Sequence, residues 1–222
     1  VERNKQDKHS KTMKKILIAL SLVMLTSGFV ISQRLPKYSG FSGGMMIHSG
    51  YLQSNNFEIT NINNESISKN KIKGFPFGIG GAARLHFGKH IRVGGEGYVS
   101  DIKYNSNGSY FSTSWGGLLV DCIWQIKRFA PFAGLLVGGG NSKNLTLNKD
   151  YGNDFVIENN ASFREYSFLA IAPFIGVEYA INSKIRLTLK ADYLVNINNP
   201  QNDFATGPRI FLGFMFYRLK GE

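Results

Sequence analysis

Residues Ile185 to Ile197, "IRLTLKADYLVNI", alternate apolar with mostly polar side chains over thirteen positions. Ile185, Leu187, Leu189, Ala191, Tyr193, Val195 and Ile197 share one face of an extended chain. Arg186, Thr188, Lys190, Asp192, Leu194 and Asn196 share the other. A period of two belongs to a strand and not to a helix. If the apolar face turns inward, such a strand builds a soluble sandwich or barrel. If it turns outward, the strand sits in lipid.

The pattern recurs along the chain, at 41–53, 74–88, 91–104, 110–126, 130–142, 163–181, 185–197 and 207–217. Most of these segments run eleven residues or more. Soluble strands average about 5–6 residues, whereas strands that cross a bilayer need about 9–11. No stretch after residue 40 carries helical periodicity. The connections, at 54–73, 89–90, 105–109, 127–129, 143–162, 182–184 and 198–206, alternate long and short without exception. Outer-membrane barrels sort their connections in this way, with short periplasmic turns and longer extracellular loops. An immunoglobulin-like sandwich has no reason to do so.

The two faces differ in bulk. Phe75, Phe77, Ile79, Leu85 and Phe87 oppose Gly78, Gly80, Ala82, Arg84, His86 and Gly88. Leu118, Val120, Cys122, Trp124 and Ile126 oppose Asp121 and Gln125, and Leu169, Ile171, Ile175, Val177 and Tyr179 oppose Ala170, Ala172 and Glu178. Eight strands leave a lumen just wide enough to be filled by side chains. Eight rows of Leu, Ile and Phe do not fit there, but Gly and Ala with interlocked charges do, so the bulky face is expected to meet lipid. Aromatics near the strand ends form two expected interfacial girdles. Tyr51, Phe75, Tyr104, Tyr110 and Tyr166 stand on the loop side; Phe41, Phe87, Phe132, Tyr179 and Phe216 stand on the turn side. The expected fold is all-β: an eight-stranded antiparallel up-and-down transmembrane barrel. A secreted lipocalin-like ligand carrier, with its apolar face turned inward, is the soluble alternative.

Composition agrees with this reading. A chain that is 43% hydrophobic suits alternating strands better than a bundle of membrane helices, and 25 Gly, 17 Phe and 10 Tyr favour β structure. The single cysteine, Cys122, excludes an intramolecular disulfide and a Cys-ligated zinc site. Met13-Lys14-Lys15 followed by the apolar run Ile16–Leu25 reads as a secretory signal peptide over 13–32, cleaved before Gln33. Residues 1–12 read as upstream translation or a start-site extension, which leaves 33–222 as a single barrel domain. Removing 1–32 takes away six basic and two acidic residues and lowers the formal charge from +11 to +7. An exported chain with scattered bases is a poor nucleic-acid binder, so no nucleic-acid partner is expected.

In these features the chain, over about residues 40–218, resembles the small eight-stranded outer-membrane proteins of Gram-negative envelopes, the OmpA transmembrane-domain and OmpX type. The resemblance is one of architecture. It implies a place in the cell outer membrane among lipid and lipopolysaccharide, and recognition of the last strand by the barrel-assembly machinery. Leu212, Phe214 and Phe216 fit that signal, although "YRLKGE" follows Phe216 where many members stop at an aromatic.

The inward positions collect His48, Arg84, His86, Arg92, Glu96, Asp121, Glu178, Arg186, Lys190, Asp192 and Arg209. Both signs are present, as a closed lumen requires. The expected role is a structural network of ion pairs, with a narrow ion or proton path as the alternative. His48 beside Ser49 raises a lipid-modifying hydrolase, but neighbouring strand residues point to opposite faces and cannot form a Ser–His pair. "VGGGNSK" (Val137–Lys143) lacks the Gly-Lys of a phosphate-cradling loop. No enzyme activity, cofactor or metal site is therefore expected. Specific activity belongs to the long loops 54–73 and 143–162. Their possible partners are lipopolysaccharide phosphates, met through Lys69, Lys71 and Lys73, or an envelope or host surface protein.

Overall fold

Every strand of the computed structural model lies within the unit Tyr38–Glu222, one of the two into which the chain divides. The structure describes residues 36–60, 66–104, 108–147 and 161–219. The proposed extension 1–12 and signal peptide 13–32 lie outside the described residues.

Among the described residues thirteen strands follow one another: β1 (Tyr38–Gly50), β2 (Leu52–Gln53), β3 (Phe57–Thr60), β4 (Ser66–Asn70), β5 (Lys73–Gly74), β6 (Phe77–Phe87), β7 (Ile91–Lys103), β8 (Tyr110–Ile123), β9 (Phe129–Leu147), β10 (Ala161–Ala180), β11 (Ile185–Tyr193), β12 (Val195–Asn196) and β13 (Pro208–Leu219). The long ones pair antiparallel in the order β1-β6-β7-β8-β9-β10-β11-β13, and β13 returns to β1. This eight-stranded ring has no free edge, so the ladder closes its own backbone hydrogen bonds. β12 continues β11 against β10. The remaining short strands make two small hairpins at the loop end, β2 with β5 and β3 with β4.

The exterior is apolar. Met45, Ile47, Phe77, Ile79, Leu118, Val137, Ile175, Leu189, Leu212, Phe214 and Phe216 are all exposed. The face assignment made from alternation holds, and so does the antiparallel neighbour-to-neighbour order. At the turn end Tyr38 packs on Phe87 and Phe129 on Tyr179; at the loop end Tyr51 packs on Phe75. These are girdle positions.

Three expectations need correction. The interior is not glycine, alanine and charge alone: Met46, Tyr98, Phe111, Trp115, Leu119, Phe132, Phe168, Phe174, Phe211 and Met215 all point inward and are buried. Their rings fit because glycines face them. A Cβ on Gly80 would come within 2.1 Å of the Tyr98 ring, and one on Gly176 within 2.4 Å of the Phe132 ring. Three girdle assignments also fail, since Phe132 lies in the lumen, Tyr104, 3% exposed, is drawn into the loop-end core, and Tyr166 shares the inward face of β10 with Phe168 and packs on the buried core. Finally, β9 runs on to Leu147, so 143–147 is strand and not loop, and within 54–73 residues 57–60, 66–70 and 73 pair as strands.

Candidate functional site

The barrel interior brings the eleven inward residues together because each stands at an inward-facing position of the alternation along its strand. Arg92 on β7 is the hub. Its Nε lies 2.6 Å from Asp121 Oδ1 on the neighbouring β8, and its Nη1 donates to Glu178 Oε1 on β10 at 2.6 Å and to the Tyr217 hydroxyl on β13 at 2.9 Å. Tyr217 donates in turn to Glu178 Oε2. Arg84 on β6 shares the same carboxylates, with Nε 3.3 Å from Asp121 Oδ2 and Nη1 3.7 Å from Glu178 Oε1. Its Nη2 donates to Glu96 Oε2 at 3.4 Å.

Higher in the lumen Lys190 of β11 donates to Glu96 and lies 3.5 Å from Asp192, to which Arg209 Nε donates at 2.8 Å. Aromatic faces cover the cations that carboxylates only partly surround. Lys190 Nζ lies 4.0 Å from the centre of the Phe211 ring, and the Arg209 guanidinium lies 4.5 Å over Trp115. Arg84, Arg92, Glu96, Asp121, Glu178 and Lys190 have side chains with no exposed surface. In such a setting an ion pair is favoured when its remaining donors and acceptors also find partners. Asp121, Glu178 and Tyr217 provide them for Arg92, whereas Arg84 Nε and Nη1, Asp192 Oδ2 and Arg209 Nη2 are buried without a hydrogen bond.

The two histidines sit at the edges of this network. His86 shares a hydrogen bond of 2.8 Å with the Ser42 hydroxyl. His48 stacks between Tyr98 and Phe211, and neither ring nitrogen has a side-chain partner. Ser49, its sequence neighbour, points outward and donates to the Pro76 carbonyl at 2.8 Å, so His48 and Ser49 do not meet. The candidate phosphate contacts lie elsewhere, on the loop-end hairpins. Lys69 pairs with Glu58 at 3.0 Å on the exposed β3–β4 hairpin; Lys71 is half-buried and Lys73 exposed.

Sequence reasoning passed over the neutral half of the lumen. At the loop end the Tyr104 hydroxyl lies 2.5 Å from Asn144 Oδ1 and 2.6 Å from Thr146 Oγ1, and Asn144 donates to Asp203 at 3.2 Å. Burial pushes the Tyr104 phenol up to about 12, with the Thr146 bond working against the shift. Asp203, Phe204 and Ala205, from the segment before β13, fold inward. Phe204 seats edge-on against Phe168, and Arg164 Nη1 reaches Asp203 at 3.2 Å. Tyr217 was legible, since it alternates with the outward Phe216. Asp203 was not, because its segment has no period.

No family model matches the sequence, and no curated protein matches it. Among solved structures, the outer membrane protein OprG from Pseudomonas aeruginosa is similar over 82% of this chain and 97% of its own, with a TM-score of 0.55 at 14% identity. The fold is that of a small outer-membrane β-barrel. Neisserial surface protein A (14% identity, 79% of this chain, 96% of that one, TM-score 0.49) is similar at a lower score. So is Ail of Yersinia pestis, solved with the heparin analogue sucrose octasulfate (12% identity, 81% and 99%, TM-score 0.48). A closed ring of this kind, apolar outside and charged within, resides in the outer membrane.

Proposed function

We propose that the barrel is a closed scaffold that holds a binding surface at the cell exterior, with neither catalytic nor conducting activity of its own. The observation that carries this reading is the filled lumen. Buried ion pairs run from Arg92 at the turn side up to Asp192 and Arg209, the hydrogen bonds around Tyr104 and Asn144 lie beyond them at the loop end, and Phe204 and Ala205 fold into the loop-end mouth. The eleven charged and histidine residues then serve as a structural plug. The long connections face outward because periplasmic turns are the short ones.

The binding surface is the loop end. Lys69 and Lys73 are exposed there, as are Lys103 and Lys143 near the strand ends, and lipopolysaccharide phosphates are the partner their charge suits. Serine chemistry gains little support. The close Ser–His pair among the described residues, Ser42 with His86, has its nucleophile buried at 1% exposure, which leaves a substrate no approach.

Three measurements test the reading. Purified protein in planar bilayers should show no stable single-channel conductance; a large steady one would make it a pore. Photo-cross-linkers placed at Lys69 and Lys73 in intact cells should capture lipopolysaccharide. Lipid A mass spectra should be the same in a deletion strain and its parent, and a change in acylation would favour the hydrolase.

A further inference from the structure

The lumen network is unbalanced. Five cations, Arg84, Arg92, Arg186, Lys190 and Arg209, face four carboxylates, Glu96, Asp121, Glu178 and Asp192. Arg186 is the cation left over. Among the described residues its one carboxylate contact is Nη1 to Glu178 Oε2 at 3.6 Å, too long for a hydrogen bond, and that oxygen already accepts from Tyr217. The other Glu178 oxygen is taken by Arg92 at 2.6 Å. Arg186 Nε is buried without a hydrogen-bond partner, and the guanidinium is held flat over the Tyr217 ring at 4.1 Å.

Arg186 does not face a dry interior. It lines a cavity of about 720 Å³ at the turn end, where the loop-end mouth's inward-folded segment has no counterpart among the described residues. Lys89, His90 and Arg128, from the turns β6–β7 and β8–β9, line the same cavity, together with His86. Among the described residues no Asp or Glu lines it. Lys89 and Arg128 are exposed, so their charges cost little to maintain unpaired, whereas the half-desolvated Arg186 gains most from a counter-charge.

We propose that this turn-end mouth is a binding site for a phosphate group. Arg186 forms its floor, and Lys89 and Arg128 close over it from two separate turns. Phosphate suits the set better than a carboxylate, because its oxygens can serve several N–H donors arriving from different directions, while a carboxylate's two oxygens are filled by one guanidinium fork. The group can come from a phospholipid headgroup or from a soluble phosphate.

The test uses the folded barrel in an uncharged detergent. Inorganic phosphate is titrated in by calorimetry at ionic strength held constant with chloride. Saturable binding is expected in the wild type. Lys89→Gln and Arg128→Gln, both on exposed turns outside the ion-pair network, should each weaken it by about three- to tenfold while leaving heat-modifiable gel mobility unchanged. The double variant should abolish it. Arg186→Gln should abolish it too, but that variant also disturbs Glu178, so the two turn variants decide. Repeating the titration in nanodiscs separates the sources. If phosphatidylglycerol in place of phosphatidylcholine removes phosphate binding, the site takes a lipid headgroup; if binding persists, it takes soluble phosphate. No saturable heat in the wild type, or full binding by the double variant, overturns the proposal.

Discussion

The two halves of the lumen solve the same packing problem with different chemistry. At the turn side, buried charges from β6, β7, β8, β10 and β11 lock onto one another around Arg92 and Glu178. At the loop side, Tyr104, Asn144 and Thr146 make a neutral cluster, and the carboxylate that joins it, Asp203, meets an Arg164 that is half exposed. Removing one member of the first leaves an uncompensated buried ion. Removing one member of the second leaves a neutral group that water can reach or that costs little. The turn side is therefore the brittle half, and the loop side is the half that can vary.

The largest effect should follow from Glu178→Ala, which deprives Arg92, Arg84 and Arg186 of a shared partner. We expect a loss of about 3–5 kcal/mol in urea unfolding of the lipid-folded barrel. A loss below about 1 kcal/mol would erase the contrast between the halves. Next comes Leu189→Arg, outward on β11 and 47% exposed, which puts a charge into the bilayer at a cost of about 2–4 kcal/mol. Its neighbour Thr188 is fully buried with an unpartnered hydroxyl, so Thr188→Val should be neutral or stabilising. Unaltered insertion of Leu189→Arg would mean that the lipid face has been misassigned.

Tyr104→Phe should be milder, about 1–2 kcal/mol, since it removes a neutral donor from Asn144 and Thr146. A loss as large as that of Glu178→Ala would show that the neutral half is as rigidly coupled as the charged one. The smallest effect is expected from replacing 56–70 with a tight turn. That cut keeps Ser54 and Ile72, which hydrogen-bond to each other and sit in the loop-end core. The shortened barrel should migrate as a folded, heat-modifiable species and lose any lipopolysaccharide cross-link. A cut that also removed Ile72 should destabilise it, because Ile72 is fully buried against Leu52, Ile102 and Phe111.

Strand count, strand order and sidedness were legible in the sequence, because a period of two acts on every residue of a strand and because loop lengths alternate by parity. Leu189, Phe214 and Ile175 could be placed outward, and Arg92, Glu178 and Lys190 inward, without a coordinate. Alternation fixes only the face, however. Which inward residues meet is set by the stagger between strands around the ring. That stagger joins Arg92 of β7 to Glu178 of β10 and Tyr217 of β13, residues 86 and 125 positions apart. The same closure decided that rings enter the lumen wherever a glycine faces them, which moved Phe132 from the girdle to the core. It also left Arg186 at the open mouth with only a share of Glu178 as counter-charge. Asp203 and Phe204 lie in a segment with no period to read, and only the packing space left above Phe168 and Arg164 determined that they turn inward.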